Sequence, residues 1–295
     1  PVPGGEVSSQ PGEFPVVGYS INSTLHSVPA CQSIVKKAVV DRLSAAYGIA
    51  QFPETGRRYQ VRFSIMKDEV TVGLDTSGEG LYKRGYRAHG VAAPLKETLA
   101  AAMVKLSHYN GRDPFCDPFC GSGTIAIEAA LIARNRAPGL NRSFAAQHWA
   151  TLDKMLWLDA ADEAMDNEFH GNYEIWGGDI DPDAVELSRH NAELAEVDDI
   201  VKFEVDDATR FHWGGLYGRI VTNPPYGERL LEREEAGELY KAFGKAMDKL
   251  PDTWRVYVLS SHPDFERCYG RFADKKRKLY NGMLKCDLFM YGKRL

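Results

Sequence analysis

The segment Asp117-Pro118-Phe119-Cys120-Gly121-Ser122-Gly123-Thr124 decides how the larger part of this chain is expected to fold. It follows the apolar run PFC (114–116) and leads into TIAIEAALIAR (124–134), whose apolar pattern predicts a helix. Glycines here let the backbone turn tightly and approach a ligand, and the helix adds unpaired N–H groups and the positive end of its dipole. A strand-to-helix turn that merely needs glycine is the alternative interpretation.

The same segment narrows the kind of ligand that is expected. It lacks the lysine of a phosphate-binding loop, and Ala126 stands where a dinucleotide fingerprint has its third glycine. These two departures favour a cofactor that has an amino-acid end and a nucleoside end but no phosphates.

Helical and strand-like patterns alternate from about residue 92 to the end of the chain. Repeated β-α-β units predict an α/β fold with a mostly parallel sheet, right-handed crossovers and helices on both faces. The stretches KRKLYNG (276–282) and MLKCDLFMYG (283–292) predict a closing hairpin, which makes one edge of the sheet antiparallel.

The N-terminal part has a different pattern. Residues 1–13 are rich in proline, glycine and serine and are expected to be a tail or linker. Residues 14–80 predict one helix and about three strands, with a hairpin turning at Lys67-Asp68, which is little material for an independent core. We therefore expect a small α+β module over 14–80 and the α/β domain over 81–295.

Two further acids follow predicted strands. Asp179 closes the strand after the glycine segment, where doubly wound folds place a carboxylate on ribose hydroxyls, and Ile180 beside it is suited to pack on an adenine face. Asp207 follows the third strand, where it is suited to accept a hydrogen bond from an adenine amine. Each acid alone is more often a helix N-cap. Together with Asp117, they place three acids at three successive strand ends, which favours a ligand site.

The sequence Asn223-Pro224-Pro225-Tyr226-Gly227 ends the fourth predicted strand. Two successive prolines fix the backbone and remove two N–H donors, so nearby carbonyls are left without sheet partners. The Asn223 amide oxygen and a proline carbonyl are suited to accept both protons of a planar exocyclic amine, and Tyr226 offers a ring for a base to stack on. A rigid turn with a packed tyrosine is the alternative.

Composition excludes several classes of protein. With 44% hydrophobic and 26% charged residues among 295, the chain is neither disordered nor a coiled coil. No apolar stretch reaches the roughly 20 residues of a membrane helix, and the first residues do not have the charged-then-apolar pattern expected of a leader. Five cysteines without a C-x-x-C pair, and histidines without ligand spacing, predict no disulfide framework and no metal site. We therefore expect a cytoplasmic protein without a membrane partner.

The net charge of −5 conceals an uneven distribution. Residues 151–207 hold 18 acids and three bases, whereas basic residues predominate before and after this block. Lys83, Arg84, Tyr86 and Arg87 form a basic and aromatic cluster, a combination suited to an RNA strand, although charge runs are more often solvated faces. The three arginines of RNRAPGLNR (134–142) are expected to line the ligand cleft at the strand ends. A second basic run, 275–278, is either an RNA contact or a solvated face.

DPFCGSGT together with NPPY resembles the class I S-adenosylmethionine-dependent methyltransferases that act on exocyclic amines. HSVPACQSIVKKAVVDRL (26–43), DTSGEGLYKRGYR (75–87) and APLKETLAAAMV (93–104) are similar to the THUMP-domain RNA methyltransferases, within the branch that methylates guanine N2 in large-subunit ribosomal RNA. The resemblance runs from Phe14 to Leu295. It implies a Rossmann-like methyltransferase sheet preceded by only the last part of a THUMP module.

The resemblance also implies roles for the residues named above, and S-adenosylmethionine as the cofactor. The methionine end would be held by Asp117, Phe119, Gly121 and Gly123, the ribose by Asp179, the adenine by Ile180 and Asp207, and the guanine by Asn223, Pro224 and Tyr226. Transfer would be a direct displacement without a covalent enzyme intermediate. Cys116 and Cys120 flank the glycine turn and are expected to be small buried residues rather than nucleophiles.

The expected substrate is therefore the N2 amine of a guanine in RNA, ribosomal RNA more than transfer RNA. Three alternatives remain open: a transfer-RNA guanine-N2 methyltransferase, an adenine-N6 methyltransferase acting on DNA or RNA, and a non-catalytic RNA-binding assembly protein. An intact glycine segment beside an intact NPPY disfavours the last. The THUMP-like segments and the absence of a recognisable DNA target-recognition domain disfavour a DNA substrate.

Overall fold

The computed structural model describes residues 12–49, 51–52, 54–87, 95–149, 151–227 and 230–292. The chain divides into two units, one made of residues 1–81 and 143–162 and the other of residues 82–142 and 163–295. Residues 143–162, which belong to the insertion before the second strand of the α/β domain, thus group with the N-terminal part. The domain limits expected from the sequence stay a prediction.

The first unit is an α+β arrangement. Its elements are β1 (Gly12–Glu13), β2 (Val16–Ile21), α1 (Val28–Tyr47), β3 (Arg57–Arg58), β4 (Val61–Met66) and β5 (Glu69–Leu74). The order β2-β4-β5 forms a three-stranded sheet, with β2 parallel and β5 antiparallel to β4, while β1 pairs with β3. Cys31 of α1 packs on Phe63 and Ile65 of β4.

The hairpin expected at Lys67-Asp68 is present between β4 and β5. Both residues have positive φ, +52° and +64°, which is the requirement of a two-residue type I′ turn. The strand pairing Met66 to Glu69 closes this turn directly.

The second unit carries the α/β domain. Its strands are β6 (Phe115–Asp117), β7 (Ile175–Asp179), β8 (Val201–Val205), β9 (Arg219–Thr222), β10 (Arg255–Ser260), β11 (Lys275–Asn281) and β12 (Leu284–Tyr291). Its helices are α2 (Glu97–Leu106), α3 (Thr124–Ala133), α5 (Pro182–Leu194), α6 (Leu230–Met247) and α7 (Phe265–Tyr269), and helix α4 (Lys154–Asp166) crosses the division between the two units.

The strand order of the large sheet is β11-β12-β10-β9-β6-β7-β8. The strands from β8 to β10 run parallel, and β12 is antiparallel to both of its neighbours. This arrangement confirms the predicted Rossmann-like sheet with an antiparallel edge hairpin. Strand β6 and helix α3 are almost entirely buried, because both faces of a parallel sheet are covered by helices.

The topology places the ligand crevice. From β6 the chain builds outward to β7 and β8 on one side, and then returns to place β9 and β10 on the other side. In such sheets ligands bind outside the carboxyl ends of the strands where the order reverses. The carboxyl ends of β9, β6, β7 and β8 therefore form the expected site. None of the helices in the described ranges is long and apolar enough to cross a membrane.

Candidate active site

Asp117 lies at the floor of the crevice, at the end of β6, with only 1% of its surface exposed. Its Oδ1 atom accepts hydrogen bonds from the Thr222 hydroxyl (2.6 Å) and the Phe119 N–H (3.3 Å). Its Oδ2 atom has no hydrogen-bond partner among the described residues. Burial raises the pKa of Asp117 to about 7, although the hydrogen bonds from Thr222 and Phe119 act in the opposite direction.

The glycine turn follows at once and opens helix α3. Gly121 and Gly123 have φ values of +51° and +79°, a left-handed conformation that glycine adopts at little cost. A Cβ atom at Gly123 would lie 2.7 Å from the Ser188 Cβ atom and 2.9 Å from the Phe203 ring. Gly123 is thus required by both its backbone angle and its packing, while Gly121 faces open space and lines the cavity.

Asp179, at the end of β7, holds the glycine turn in place. One of its carboxylate oxygens accepts from the Gly121 N–H (2.9 Å) and the other from the Asp181 N–H (3.1 Å). A carboxylate has about four acceptor sites, so two remain for hydroxyl donors. Ile180 beside it is 72% exposed, which leaves an apolar surface at the crevice.

Asp207 caps a short 3-10 helix, Ala208–Arg210, that follows β8. Its Oδ1 atom accepts from both the hydroxyl (2.7 Å) and the N–H (2.9 Å) of Thr209. The hydroxyl bond in particular lowers the pKa of Asp207, so the carboxylate is ionised at neutral pH. Asp207 therefore fills the structural role of a cap and is also an ionised acceptor that lines the cavity.

Asn223, Pro224 and Tyr226 follow the end of β9. The Tyr226 phenol donates a hydrogen bond to the Asn223 Oδ1 atom, and burial raises the pKa of that phenol. The ring is half-buried against the hydrophobic core instead of standing free as the sequence suggested. The Tyr240 hydroxyl donates to the Pro225 carbonyl, so this carbonyl already has a partner.

These strand ends share one cavity of about 790 Å³. Its walls include every residue predicted for the cofactor except Gly123, and all three predicted for the substrate: Asp117, Phe119, Gly121, Asp179, Ile180, Asp207, Asn223, Pro224 and Tyr226. The sequence did not identify Lys96, Leu239 or the hairpin turn at Asn281 and Gly282, which also line it. The Asn-Gly pair between two strand patterns was the available signal for that turn.

In the cluster expected to bind RNA, Tyr86 is buried, Arg84 and Arg87 are partly buried and Lys83 is exposed. Tyr86 is 2% exposed and donates a hydrogen bond to Glu128 (3.1 Å) on α3, where Arg84 also lies 3.4 Å from the carboxylate. Tyr86 therefore has no surface for an RNA base, and we remove it from the RNA contacts. Of the four, Lys83 is exposed, whereas Arg87 donates to the Thr124 hydroxyl (2.7 Å) beside the cavity.

Two of the three arginines in the 134–142 segment make ion pairs within the protein. Arg134 pairs with Asp199, and Arg136 pairs with both Glu168 and Glu196. These contacts neutralise part of the acidic block, and the cavity lining does not include the two arginines.

Cys116 and Cys120 are buried, as expected, and burial raises the pKa of both thiols. In the described part of the chain, no three histidine, cysteine or acidic side chains come together as a metal site would require.

The site fits a ligand with a cationic group at one end and a nucleoside at the other. A buried carboxylate oxygen without a partner is costly unless a donor reaches it, and an ammonium group is such a donor. Asp179 keeps free acceptor sites for hydroxyls, and Ile180 offers an apolar surface to a flat ring. A cavity of this size holds a small molecule together with part of a second one.

Comparison with known proteins gives two family matches. The model described as "RMKL-like, methyltransferase domain" matches residues 84–289, and the model of the THUMP domain matches residues 2–75. The chain is also 48% identical over 290 residues to "Putative RNA methyltransferase YpsC" of Bacillus subtilis (strain 168), covering 96% of this chain and 74% of that protein.

Two solved structures are similar throughout. One is "a predicted N6-adenine-specific DNA methylase from Listeria monocytogenes str. 4b F2365", with a TM-score of 0.89, 47% identity and coverage of 96% of this chain and 74% of that one. The other is "SMU.472, a putative methyltransferase complexed with SAH", with a TM-score of 0.87, 41% identity and coverage of 97% and 76%. The chain therefore belongs to the family of RMKL-like methyltransferases that carry a THUMP domain.

Proposed function

We propose that the protein is an S-adenosylmethionine-dependent RNA methyltransferase that modifies the exocyclic N2 amine of a guanine, in 23S ribosomal RNA. The observation that carries this proposal is the shared cavity, in which the Asn223-Pro224 strand end stands beside the acids of three neighbouring strand ends. The THUMP match supports an RNA substrate.

The cofactor is S-adenosylmethionine. The similar structure SMU.472 is complexed with SAH, and the donor set of this cleft fits the same kind of molecule. Asp117 would hold the methionine ammonium with its free Oδ2 atom, Asp179 the ribose hydroxyls and Asp207 the adenine amine. Phe119 and Ile180 would contact its apolar parts, and Gly121 allows its close approach.

The target amine would be held at the end of β9. Its two protons would be accepted by the Asn223 amide oxygen and the Pro224 carbonyl, since the Pro225 carbonyl already accepts from Tyr240. The Tyr226 phenol occupies the Asn223 oxygen in this structure, so Tyr226 has to move away as the base enters. Its ring is then available to stack on the base.

S-adenosylmethionine would supply a sulfonium methyl group and leave as S-adenosylhomocysteine, and the amine nitrogen that gains the methyl group would release one proton to solvent. The protein would contribute alignment of the amine with that methyl group. The two oxygen acceptors would hold the amine protons in positions that disfavour conjugation of the nitrogen lone pair with the purine ring. The lone pair would then be available to the methyl group. Neither Cys116 nor Cys120 is needed, because both thiols are buried and un-ionised.

A second candidate is methylation of the adenine N6 amine. The description of the Listeria relative as a predicted N6-adenine-specific DNA methylase favours it, and the amine-binding geometry proposed for Asn223 suits either base. A guanine in transfer RNA is a third substrate of the same chemical class.

Nucleoside analysis separates these candidates. Ribosomal RNA, transfer RNA and duplex DNA would each be incubated with the protein and isotopically labelled S-adenosylmethionine, digested and analysed by mass spectrometry. We expect label in N2-methylguanosine from 23S RNA. Label in 6-methyladenine, or in transfer RNA alone, would replace the proposed substrate, and label in none would overturn the proposal.

The variant Asn223→Ala serves as the matched control for this assay. It removes the amide oxygen without touching the acids of the cofactor site, so methyl transfer should be lost while S-adenosylhomocysteine binding persists. Full activity in this variant would contradict the role given to Asn223.

A further inference from the structure

The hairpin β11–β12 reaches the active-site crevice with its turn. Strand β12 is antiparallel to both β10 and β11, so β11 runs in the same direction as β10 and ends at the crevice side of the sheet. Asn281 pairs with Leu284, which leaves a two-residue loop whose first residue, Gly282, has a φ of +64°. This is the pattern of a type II′ turn. Asn281, Gly282 and Leu284 line the same cavity as Asn223.

Two large side chains at this turn face solvent. Met283 is 99% exposed and Tyr280 is 60% exposed. A single exposed apolar residue needs no explanation, but two at the rim of a substrate cleft form a surface suited to a planar ring. Tyrosine is among the side chains on which nucleic-acid bases stack.

Cations stand on the same face of the hairpin. The strand register places Lys285 opposite Tyr280. Lys278 lies two residues before Tyr280 on β11, and therefore on the same face, opposite Asp287. Within the described ranges, neither lysine has a carboxylate within 4.0 Å, whereas Lys276 further along pairs with Glu266 at 2.8 Å. The two lysines nearest the turn are therefore available to an external anion, with Asp287 the one acid opposite them in the register.

Protection of a sheet edge explains only part of this arrangement. Lysines on an edge strand discourage pairing with another chain, and β11 is such an edge. Lys285 belongs to β12, however, which is paired on both sides, and edge protection does not require an exposed Tyr280 or Met283. Tyr280 and Met283 flank Asn281 and Gly282, which line the cavity, so the exposed ring and the nearby lysines stand next to the cavity wall.

We propose that the hairpin tip binds the nucleotide next to the target base, with its base stacked on Tyr280 and its phosphate on Lys278 and Lys285. This inference rests on the proposed function, because it takes the substrate to be an RNA strand whose target base enters the cleft. The tip would hold the strand on one side of the base extruded toward Asn223. Such contacts give affinity for the strand without reading its sequence.

Binding of a fluorescently labelled single-stranded RNA, measured by anisotropy over a series of salt concentrations, tests this inference. Tyr280→Ala should weaken binding about 5- to 100-fold, and Tyr280→Phe should restore it because the stacking ring is kept. The double variant Lys278→Ala/Lys285→Ala should reduce the slope of log affinity against log salt by about 1.4, the value for two phosphate contacts on a single strand. Phe272→Ala and Lys275→Ala are matched controls, since both residues are exposed, Lys275 is the first residue of β11 and Phe272 precedes the strand, far from the turn.

Two further measurements separate this inference from the proposed function. Calorimetry with S-adenosylhomocysteine should give wild-type affinity in every variant, which shows that the domain is folded. Nucleoside analysis identifies the methylated base independently: if adenine is labelled while the Tyr280 and lysine variants still bind weakly, the guanine proposal fails and the hairpin contact stands. If both hairpin variants bind RNA with wild-type affinity, the hairpin contact is overturned. It is also overturned if the two control variants lose as much affinity as the hairpin variants do.

Discussion

Replacing Asp117 with asparagine removes a buried negative charge but keeps the shape of the side chain and an oxygen for the Thr222 hydroxyl. Burial raises the pKa of Asp117 from its ordinary value of 3.8 to about 7. A displacement of this size corresponds to about 4 kcal/mol of unfolding free energy. The hydrogen bonds from Thr222 and Phe119 to Oδ1 offset only part of the cost of burial, and the second carboxylate oxygen has no partner among the described residues.

The direction of the pH dependence follows from whether the folded protein or the unfolded chain holds the Asp117 proton more tightly. The folded protein keeps the Asp117 proton up to about pH 7, whereas the unfolded chain loses it near pH 4. The stabilisation from this group is therefore complete below about pH 4 and is lost as the pH rises through about 7. Asparagine has no proton to lose, so the unfolding free energy of Asp117→Asn relative to wild type should rise by up to about 4 kcal/mol across this window.

Urea denaturation of both proteins, from about pH 4.5 to pH 8, measures this difference. Glu128, whose pKa burial also raises to about 7, is present in both proteins and cancels in the comparison. A difference in unfolding free energy that stays constant over the range would contradict the argument from burial. Calorimetry supplies the functional counterpart: wild-type affinity for S-adenosylhomocysteine should increase toward pH 8 as the carboxylate ionises, and Asp117→Asn should lose both affinity and that pH dependence.

Three other substitutions test separate parts of the site. Asp179→Ala should weaken S-adenosylhomocysteine binding about 10- to 100-fold, the usual loss for hydrogen bonds to a charged group, and unchanged affinity in calorimetry would remove the ribose assignment. Gly123→Ala should lower the unfolding free energy by about 1 to 3 kcal/mol because of its positive φ and the close Ser188 side chain, a loss that chemical denaturation would detect. Tyr86→Ala should lower it by about 3 to 5 kcal/mol, as expected for a large buried ring that also donates to Glu128, and a thermal midpoint equal to wild type would place Tyr86 at the surface after all.

The large sheet and the position of the crevice could be predicted because they depend on local patterns. Short apolar runs, each followed by a polar group and then a helical pattern, repeat along the second half of the chain. Parallel strands bring their carboxyl ends to one edge of the sheet, so Asp117, Asp179 and Asn223 had to approach each other once the fold was known. No long-range detail of the packing was needed for that inference.

The conformation of Tyr226 could not be obtained in the same way. Whether a tyrosine after two prolines faces a ligand or turns back depends on which hydrogen-bond acceptor lies within its reach. Here the nearest acceptor is Asn223, three residues earlier, and the ring also packs against residues of the distant hairpin and sheet core. The sequence therefore predicts a base-binding motif, but it does not predict that the Tyr226 hydroxyl occupies the Asn223 oxygen of the same motif.

The burial of Tyr86 shows how a single residue, Glu128, could have corrected the prediction that this tyrosine contacts RNA. Helix α3 is apolar throughout except for Thr124 at its start and Glu128, and nine of its ten residues are buried. A lone acid in such a helix needs a cation and a hydrogen-bond donor brought from elsewhere in the chain, because an unpaired buried charge is costly. Arg84 and Tyr86 provide them, and their spacing places Arg87 against Thr124 at the first turn of the same helix. Arg84, Tyr86 and Arg87 thus hold the helix that begins at the glycine turn, whereas Lys83 of the same segment is exposed and its contact with RNA stays a prediction.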